Sequence, residues 1–229
     1  MASLRALLAA YDLGPGDEVW IDTGWYDQVA TVEIGTEDAG VTINGPADPD
    51  ELGHVATLDR NNPDWAAMVL TDADDVTVRD LALTGGKYGM SVRSGSSDLT
   101  IQHLVVYDNK DAGIYVEDAD SEYVTITDSY FYGTTGNDLT DQNRGIDLRG
   151  RYPTVTGNVF YHTPGGYGDG AYLNGTTSAL VSGNLAYNNS WTGIWISASQ
   201  FSLSNNIVYS NGTGIYADDT DAALYSEVH

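Results

Sequence analysis

Cysteine is absent from the 229-residue sequence, so disulfides contribute nothing and the redox compartment stays open. Positive charge is nearly as scarce. Nine basic residues stand against thirty-three acidic ones, a formal net charge of −24 at pH 7, and only Lys87 and Lys110 are lysines. Such a surface disfavours nucleic acid and anionic membranes as partners, and its self-repulsion at low salt points to high ionic strength or to calcium. No run of 18 or more apolar residues occurs, which excludes a membrane-spanning helix. Met1-Ala2-Ser3 lacks the basic-then-apolar layout of a signal peptide; a removed signal, or excerption from a longer polypeptide, would account for that. The length suits one all-β domain.

What the chain does have is a repeat. Apolar anchors at Val78, Ile101, Ile126, Val155, Val181 and Leu203 are spaced by 23, 25, 29, 26 and 22 residues, a period that marks stacked supersecondary units. Each anchor is followed, after a loop, by glycine and an alternating triplet: Gly89-Met90-Ser91-Val92, Gly113-Ile114-Tyr115-Val116, Gly145-Ile146-Asp147-Leu148, Gly170-Ala171-Tyr172-Leu173, Gly193-Ile194-Trp195-Ile196 and Gly214-Ile215-Tyr216-Ala217. Alternation of this kind reads as a half-buried strand. Most of the segments between them lack the two-residue Asn-Gly type turns that would join such strands as hairpins. Each unit is therefore expected to make one turn of a solenoid, with equivalent residues stacked about 4.7–4.9 Å apart in columns.

Two columns are legible at once. Three residues after the anchors stand Leu81, Leu104, Ser129, Asn158, Asn184 and Asn206, ending in an asparagine ladder. Six residues after them stand Thr84, Tyr107, Tyr132, Tyr161, Tyr187 and Tyr209, a tyrosine stack. Both belong to the scaffold before they belong to any chemistry. At the start, Leu4, Leu7, Leu8 and Tyr11 have helical spacing with Ser3 as N-cap, which suits a helix plugging the open end. The expected layout is residues 1–17 as cap helix and turn, 18–75 as first coils and 76–229 as regular coils. Nothing after Tyr216 matches the N-terminal plug, so further coils or another domain are expected to follow.

The segments Ile126-Thr127-Asp128-Ser129-Tyr130-Phe131, Val155-Thr156-Gly157-Asn158-Val159-Phe160 and Val181-Ser182-Gly183-Asn184, each followed by Gly-apolar-x-apolar, resemble those of the pectate-lyase-like superfamily. The opening Pro15-Gly16-Asp17-Glu18-Val19-Trp20-Ile21-Asp22 resembles the turn that leads from a capping helix into the first strand of that family. The resemblance implies an all-β fold, a single-stranded right-handed parallel β-helix with an N-terminal capping helix. It specifies a fold and not a reaction.

Function is sought where the repeat breaks. From anchor to the apolar residue of the Gly-containing strand the six units run 12, 13, 20, 16, 13 and 12 residues. Two neighbouring units thus carry insertions, within Gly133 to Arg144 and His162 to Asp169, which emerge side by side on one face; insertions grouped so often mark a binding face. Lys87, Arg93, Lys110, Arg144, Arg149 and Arg151, six of the nine basic residues, lie between 87 and 151, which points to an anionic ligand. The outward triplet residues Ser91, Tyr115, Asp147, Tyr172, Trp195 and Tyr216 form one column, and Arg93, Glu117, Arg149, Asn174, Ser197 and Asp218 form the next. Aromatic faces in the first suit sugar rings.

The reaction expected is β-elimination or C5-epimerisation of a uronate-containing polysaccharide, by an extracellular or secreted, monomeric protein. Both reactions remove the proton beside a carboxylate, so they need a cation for that carboxylate and a base. The catalytic candidates are Arg144 and Arg149 as neutralising cations, His162 or Tyr172 as base or acid, and Asp147 to orient an arginine or share a cation. Arg93, Tyr115, Glu117, Asp169, Asn174 and Trp195 are the substrate-binding candidates. Acidic turns at Asp72, Asp74 and Asp75, at Glu117, Asp118, Asp120 and Glu122, and at Asp218, Asp219 and Asp221 are oxygen-rich enough for Ca2+, without a specific calcium-loop pattern. The closely spaced aspartates and Arg-x-x-Arg arrangement of pectate lyases, and the Asp-Pro-His run of one epimerase group, are absent, so no catalytic residue carries over by motif. Two alternatives stay open: a non-catalytic carbohydrate-binding or spacer module of a large extracellular protein, and a glycoside hydrolase with Asp147 and Asp169 as its paired carboxylates.

Overall fold

In the computed structural model, residues 4–28, 30–46, 55–134, 142–164, 166–219 and 227–228 are described. The chain is a parallel β-solenoid. Each regular coil contributes three short strands, exemplified by Thr100–Gln102, Val105–Tyr107 and Ala112–Val116. The second strands form an eight-stranded parallel sheet. First and third strands share one fifteen-stranded sheet, because Asp169–Ser182 and Thr192–Ser204 bend round a corner and serve as the third strand of one coil and the first of the next.

The anchors occupy one buried register column. It continues below Val78 to Ile43 and Val19, two coils that the anchor spacing did not reveal. The second strands are the element missed in the repeat. Their three residues read as a run into the tyrosine, yet their middle residues, Leu83, Val106, Phe131, Phe160 and Ala186, are in register and buried, with Phe131 stacked on Phe160 at 5.1 Å.

The corners explain the rest of the repeat. Two residues after each anchor stand Asp80, His103, Asp128, Gly157, Gly183 and Asn205, all left-handed with φ between 50° and 69°, a conformation that Gly, Asn and Asp tolerate best. The next residue is the ladder position. Asn184 Oδ1 accepts from Asn158 N at 3.0 Å and from Asn158 Nδ2 at 3.2 Å, while Asn184 Nδ2 donates to Val155 O and to Asn206 Oδ1, each at 2.9 Å. Buried turn backbone is thereby satisfied from coil to coil. A second ladder, not evident in the repeat, stands at the next corner: Asn109 bonds Gln142, Thr163 bonds Asn189, and Asn189 bonds Asn211. Its signal was asparagine eight residues after the anchor, obscured where the insertion displaces Gln142.

The glycine column has a packing cause. A Cβ on Gly145 would lie 2.3 Å from Gly170 O and 2.6 Å from a Phe160 ring carbon, and Gly113 and Gly170 meet the next glycine carbonyl in the same way. The tyrosine column is an unbroken stack from Tyr107 to Tyr209, with centroids 4.8–5.4 Å apart. Burial pushes Tyr161 up to about 12, with help from Tyr132, Tyr187 and Tyr130.

At the N-terminal end the helix Leu4–Ala10 lies over the first coil. Leu4, Leu7 and Leu8 are partly buried against the core, but a cavity of about 760 Å³ remains beside Trp20, Trp25, Tyr26 and Leu58. Ser3, the expected cap, lies outside the described residues.

Candidate functional site

The third strands carry the site. Register pairing puts Ser91, Tyr115, Asp147, Tyr172, Trp195 and Tyr216 on successive coils of one column. Three residues before Tyr172, Asp169 pairs with Arg144 of the coil before. These strands place three charged side chains together. Arg144 Nη1 donates to Asp147 Oδ2 at 2.5 Å, and Arg144 Nε to Asp169 Oδ2 at 3.5 Å. The guanidinium lies 4.0 Å from the Tyr172 ring centre and 5.7 Å from that of Tyr167.

This cluster is shielded from water: the side chains of Arg144, Asp147 and Asp169 are 21%, 7% and 5% exposed. Burial pushes the Asp147 carboxyl above its ordinary value, against the pull of Arg144 and, more weakly, Arg149. Asp169 is also pushed up by burial, opposed first by the Thr192 backbone N–H, which donates to its Oδ1 at 3.1 Å, and then by Arg144. Asp147 Oδ1 is buried without a hydrogen-bond partner among the described residues. The two acids therefore differ: both oxygens of Asp169 are engaged, and one oxygen of Asp147 is free.

The other sequence candidates divide by position. Arg149 is exposed, and its guanidinium lies 5.7 Å from the Tyr115 ring centre. Tyr115 in turn stacks on Tyr88 at 4.6 Å. Arg93 is tied to Glu117 at 3.1 Å and to Ser91 Oγ at 3.0 Å. Trp195 is sandwiched between Tyr172 at 5.6 Å and Tyr216 at 4.2 Å. The faces of Tyr172 and Trp195 expected to be open to sugars are thus largely occupied by an arginine or another ring. Asn174 is exposed beyond them. His162 does not join this group: it occupies a left-handed corner after the second strand, φ 54°, with Nδ1 2.9 Å from Gly133 O. No contact links it to Arg144, Asp147 or Asp169 among the described residues.

The positive cluster is mostly neutralised. Lys87 pairs with Asp111, Lys110 with Asp64, Arg151 with Glu122, and Arg93 and Arg144 as above. Arg149 is the member without a carboxylate partner among the described residues. No group of three or more His, Asp or Glu side chains is placed to hold a metal among the described residues. Instead Asp74 Oδ1 accepts from Ser97 N and Oγ, and the Asp118 carboxylate accepts from Ser121 N and Ser94 N. Asp221 lies outside the described residues, as does most of the first insertion, 135–141. Two site residues escape the sequence pattern, Tyr167 and Trp191, 65% and 48% exposed and stacked 6.0 Å apart, with Tyr167 beside Arg144. Tyr167 lies within an insertion, and that was the available signal.

Residues 94–227 match the family model described as the right handed beta helix region. No curated protein matches the sequence. The solved enzymatically active domain of tailspike protein 2 from bacteriophage CBA120 is similar over 91% of this chain and 36% of its own, at 14% identity and a TM-score of 0.53. Pectate lyase Pel9A is similar over 98% of this chain and 52% of its own, at 17% identity and a TM-score of 0.49. An alginate lyase from Paenibacillus sp. str. FPU-7 is similar over 94% and 96%, at 16% identity and a TM-score of 0.43. The chain spans about a third of the tailspike domain and half of the pectate lyase. At these identities the likeness is one of fold.

Proposed function

The chain belongs to the right-handed β-helix family, and from that premise we propose that it acts on a polysaccharide laid across the third strands, cleaving a glycosidic bond at the Asp147–Arg144–Asp169 cluster. One observation carries this reading: two carboxyl groups on neighbouring coils, both buried and both pushed up, share a single guanidinium. That guanidinium limits the separation of the nearer oxygens to roughly 8 Å, within the span of about 5–9.5 Å used by paired carboxyl groups in glycoside hydrolysis. A buried ion cluster adds little to stability over an apolar one. Its place between the two coils with insertions therefore favours a functional role, since shifted carboxyl groups are what acid–base chemistry needs. Asp147, with its free oxygen, is the proton donor to the leaving group. Asp169, held by Thr192 N–H and Arg144, is the base that takes the proton of the attacking water. Arg144 covers both and is the group a substrate must displace, with the exposed Tyr167–Trp191 pair beside it as the first sugar contact.

Arg149 favours a second reading, β-elimination or C5-epimerisation of a uronate. Exposed and without a carboxylate partner among the described residues, it suits a substrate carboxylate, with Tyr172 rather than His162 as the proton acceptor. Incubation with alginate, pectate, glycosaminoglycans and neutral glucans, with and without calcium, separates the two. New reducing ends without unsaturated uronate absorbance, lost in Asp147→Asn and Asp169→Asn, are the expected result. Unsaturated products that depend on Arg149 instead establish the second reading. Retention of the protein by a polysaccharide with no product of either kind makes it a binding module.

A further inference from the structure

We propose that Tyr123 and Tyr152 form a sugar-stacking platform on the corner between the third and first strands, a second polysaccharide contact separate from the Asp147–Arg144–Asp169 cluster. The inference rests on the reading that this protein handles a glycan, and it names a site at which the chain is held.

The argument starts from the backbone. At this corner, successive coils place Asp75, Asp98, Tyr123, Tyr152, Ser178 and Gln200 in one column, with φ of 57°, 54°, 53°, 58°, 55° and 72°. Backbone bonds Asp98 N to Glu122 O, Tyr123 N to Arg151 O and Tyr152 N to Thr177 O continue from coil to coil. Left-handed backbone costs most L-residues about 1–2 kcal/mol, and Asn or Asp offset part of it by local hydrogen bonding. The other non-glycine residues with positive φ among those described are Asn, Asp, Ser, His or Gln; Tyr123 and Tyr152 are the ones with a phenol ring. The corner itself does not require a ring, because aspartate, serine and glutamine serve in neighbouring coils. Two adjacent coils nevertheless put an aromatic there.

The rings are placed for a ligand rather than for the core. They stack at 4.8 Å with an interplanar angle of 11° and are 47% and 40% exposed. The Tyr107–Tyr209 column differs, since each of its inner rings is covered on both faces. Here no third ring or cation covers either outer face among the described residues. The column continues with Ser178 beyond Tyr152 and Asp98 below Tyr123, both small, which leaves a slot about one coil thick, roughly 4.8 Å, against each outer face. A pyranose ring fits such a slot with its CH face on the tyrosine and its hydroxyls at the polar rim. The rim supplies the Arg151–Glu122 pair and Ser178 Oγ, which lies 3.0 Å from Gln200 Oε1.

The test exchanges each ring for its neighbour's residue, Tyr123→Asp with Tyr152→Ser, in the full chain. The probes are gels cast with alginate, pectate, hyaluronan or starch. On whichever polysaccharide retards the wild type, the double variant should bind about tenfold more weakly, as expected for losing an aromatic contact worth about 1.4 kcal/mol. Tyr123→Phe with Tyr152→Phe keeps the ring faces and should keep the retardation, which guards against a folding defect in the first variant. Unchanged retardation in the Asp/Ser variant, or loss of it in the Phe/Phe variant, overturns the platform. A wild type retarded by none of the four overturns the glycan reading itself, a distinguishable failure.

Discussion

Replacing Arg144 with alanine leaves two buried carboxyl groups facing each other without the guanidinium that both hold. Asp147 and Asp169 are only 7% and 5% exposed, so water cannot take over the role of Arg144 without opening the third strands. Breaking such a pair costs about 3–5 kcal/mol at neutral pH. For a chain of this size that lowers Tm by roughly 6–20 °C. The loss must depend on pH with a definite sign. Both carboxyls already titrate above the ordinary 3.8 in the folded chain. The stability they contribute is therefore fully present below 3.8 and is lost as pH rises through their folded values. Without Arg144 those values rise further. At mildly acidic pH the variant can neutralise the acids by protonating them, so only hydrogen bonds are missing, about 1–2 kcal/mol; at pH 7 and above the full penalty returns. Urea unfolding of wild type and Arg144→Ala at both pH values, in concentrated salt to screen exposed charges, measures the difference. Adding Asp147→Asn to the variant should recover part of the neutral-pH loss. An equal loss at the two pH values, or none, refutes the claim that this cluster is a buried, charge-coupled unit.

Two further perturbations address the scaffold. Tyr161 ionises near 12 in the folded chain against an ordinary 10, so the stability it contributes is complete below 10 and is lost as pH rises through 12; Tyr161→Phe keeps the ring stack, removes that loss, and should unfold less readily than wild type in strong alkali, as followed by ultraviolet titration and circular dichroism. Gly145→Ala should destabilise by about 2–3 kcal/mol through overpacking against Gly170 O and Phe160, whereas Gly95→Ala, where a Cβ meets nothing within 4 Å but φ is +76°, should cost about 1 kcal/mol from backbone strain alone; the reverse order in urea denaturation would contradict the close-packed glycine column.

What the amino-acid order determined by itself is whatever recurs with the coil. Anchors such as Ile101, Ile126 and Val155, the glycine-led triplets, the Asn158–Asn184–Asn206 ladder and the tyrosines from Tyr107 to Tyr209 repeat because each coil meets the same neighbours above and below. Equal environments select equal residues, and that periodicity is local enough to read along the chain. The same reading located the two lengthened coils and grouped Asp147 with Asp169. It missed the second strands, whose three residues are too few to show alternation, and it placed the first coils within 18–75 without finding their anchors Val19 and Ile43, whose spacing is uneven.

Only the tertiary structure decided how side chains from different coils pair. The clustering of basic residues suggested a free cationic surface, yet most of those cations are taken up by carboxylates one coil away, because strands stacked at about 4.8 Å bring opposite charges into reach whatever their separation in sequence. Arg144 is thereby drawn between two aspartates and onto a tyrosine face, while His162, close to that face in sequence, is turned away at a corner. The pairing at Tyr123 and Tyr152 has the same origin. Nothing in either residue's local sequence announces a platform, and it exists because two successive turns set the same left-handed corner one above the other.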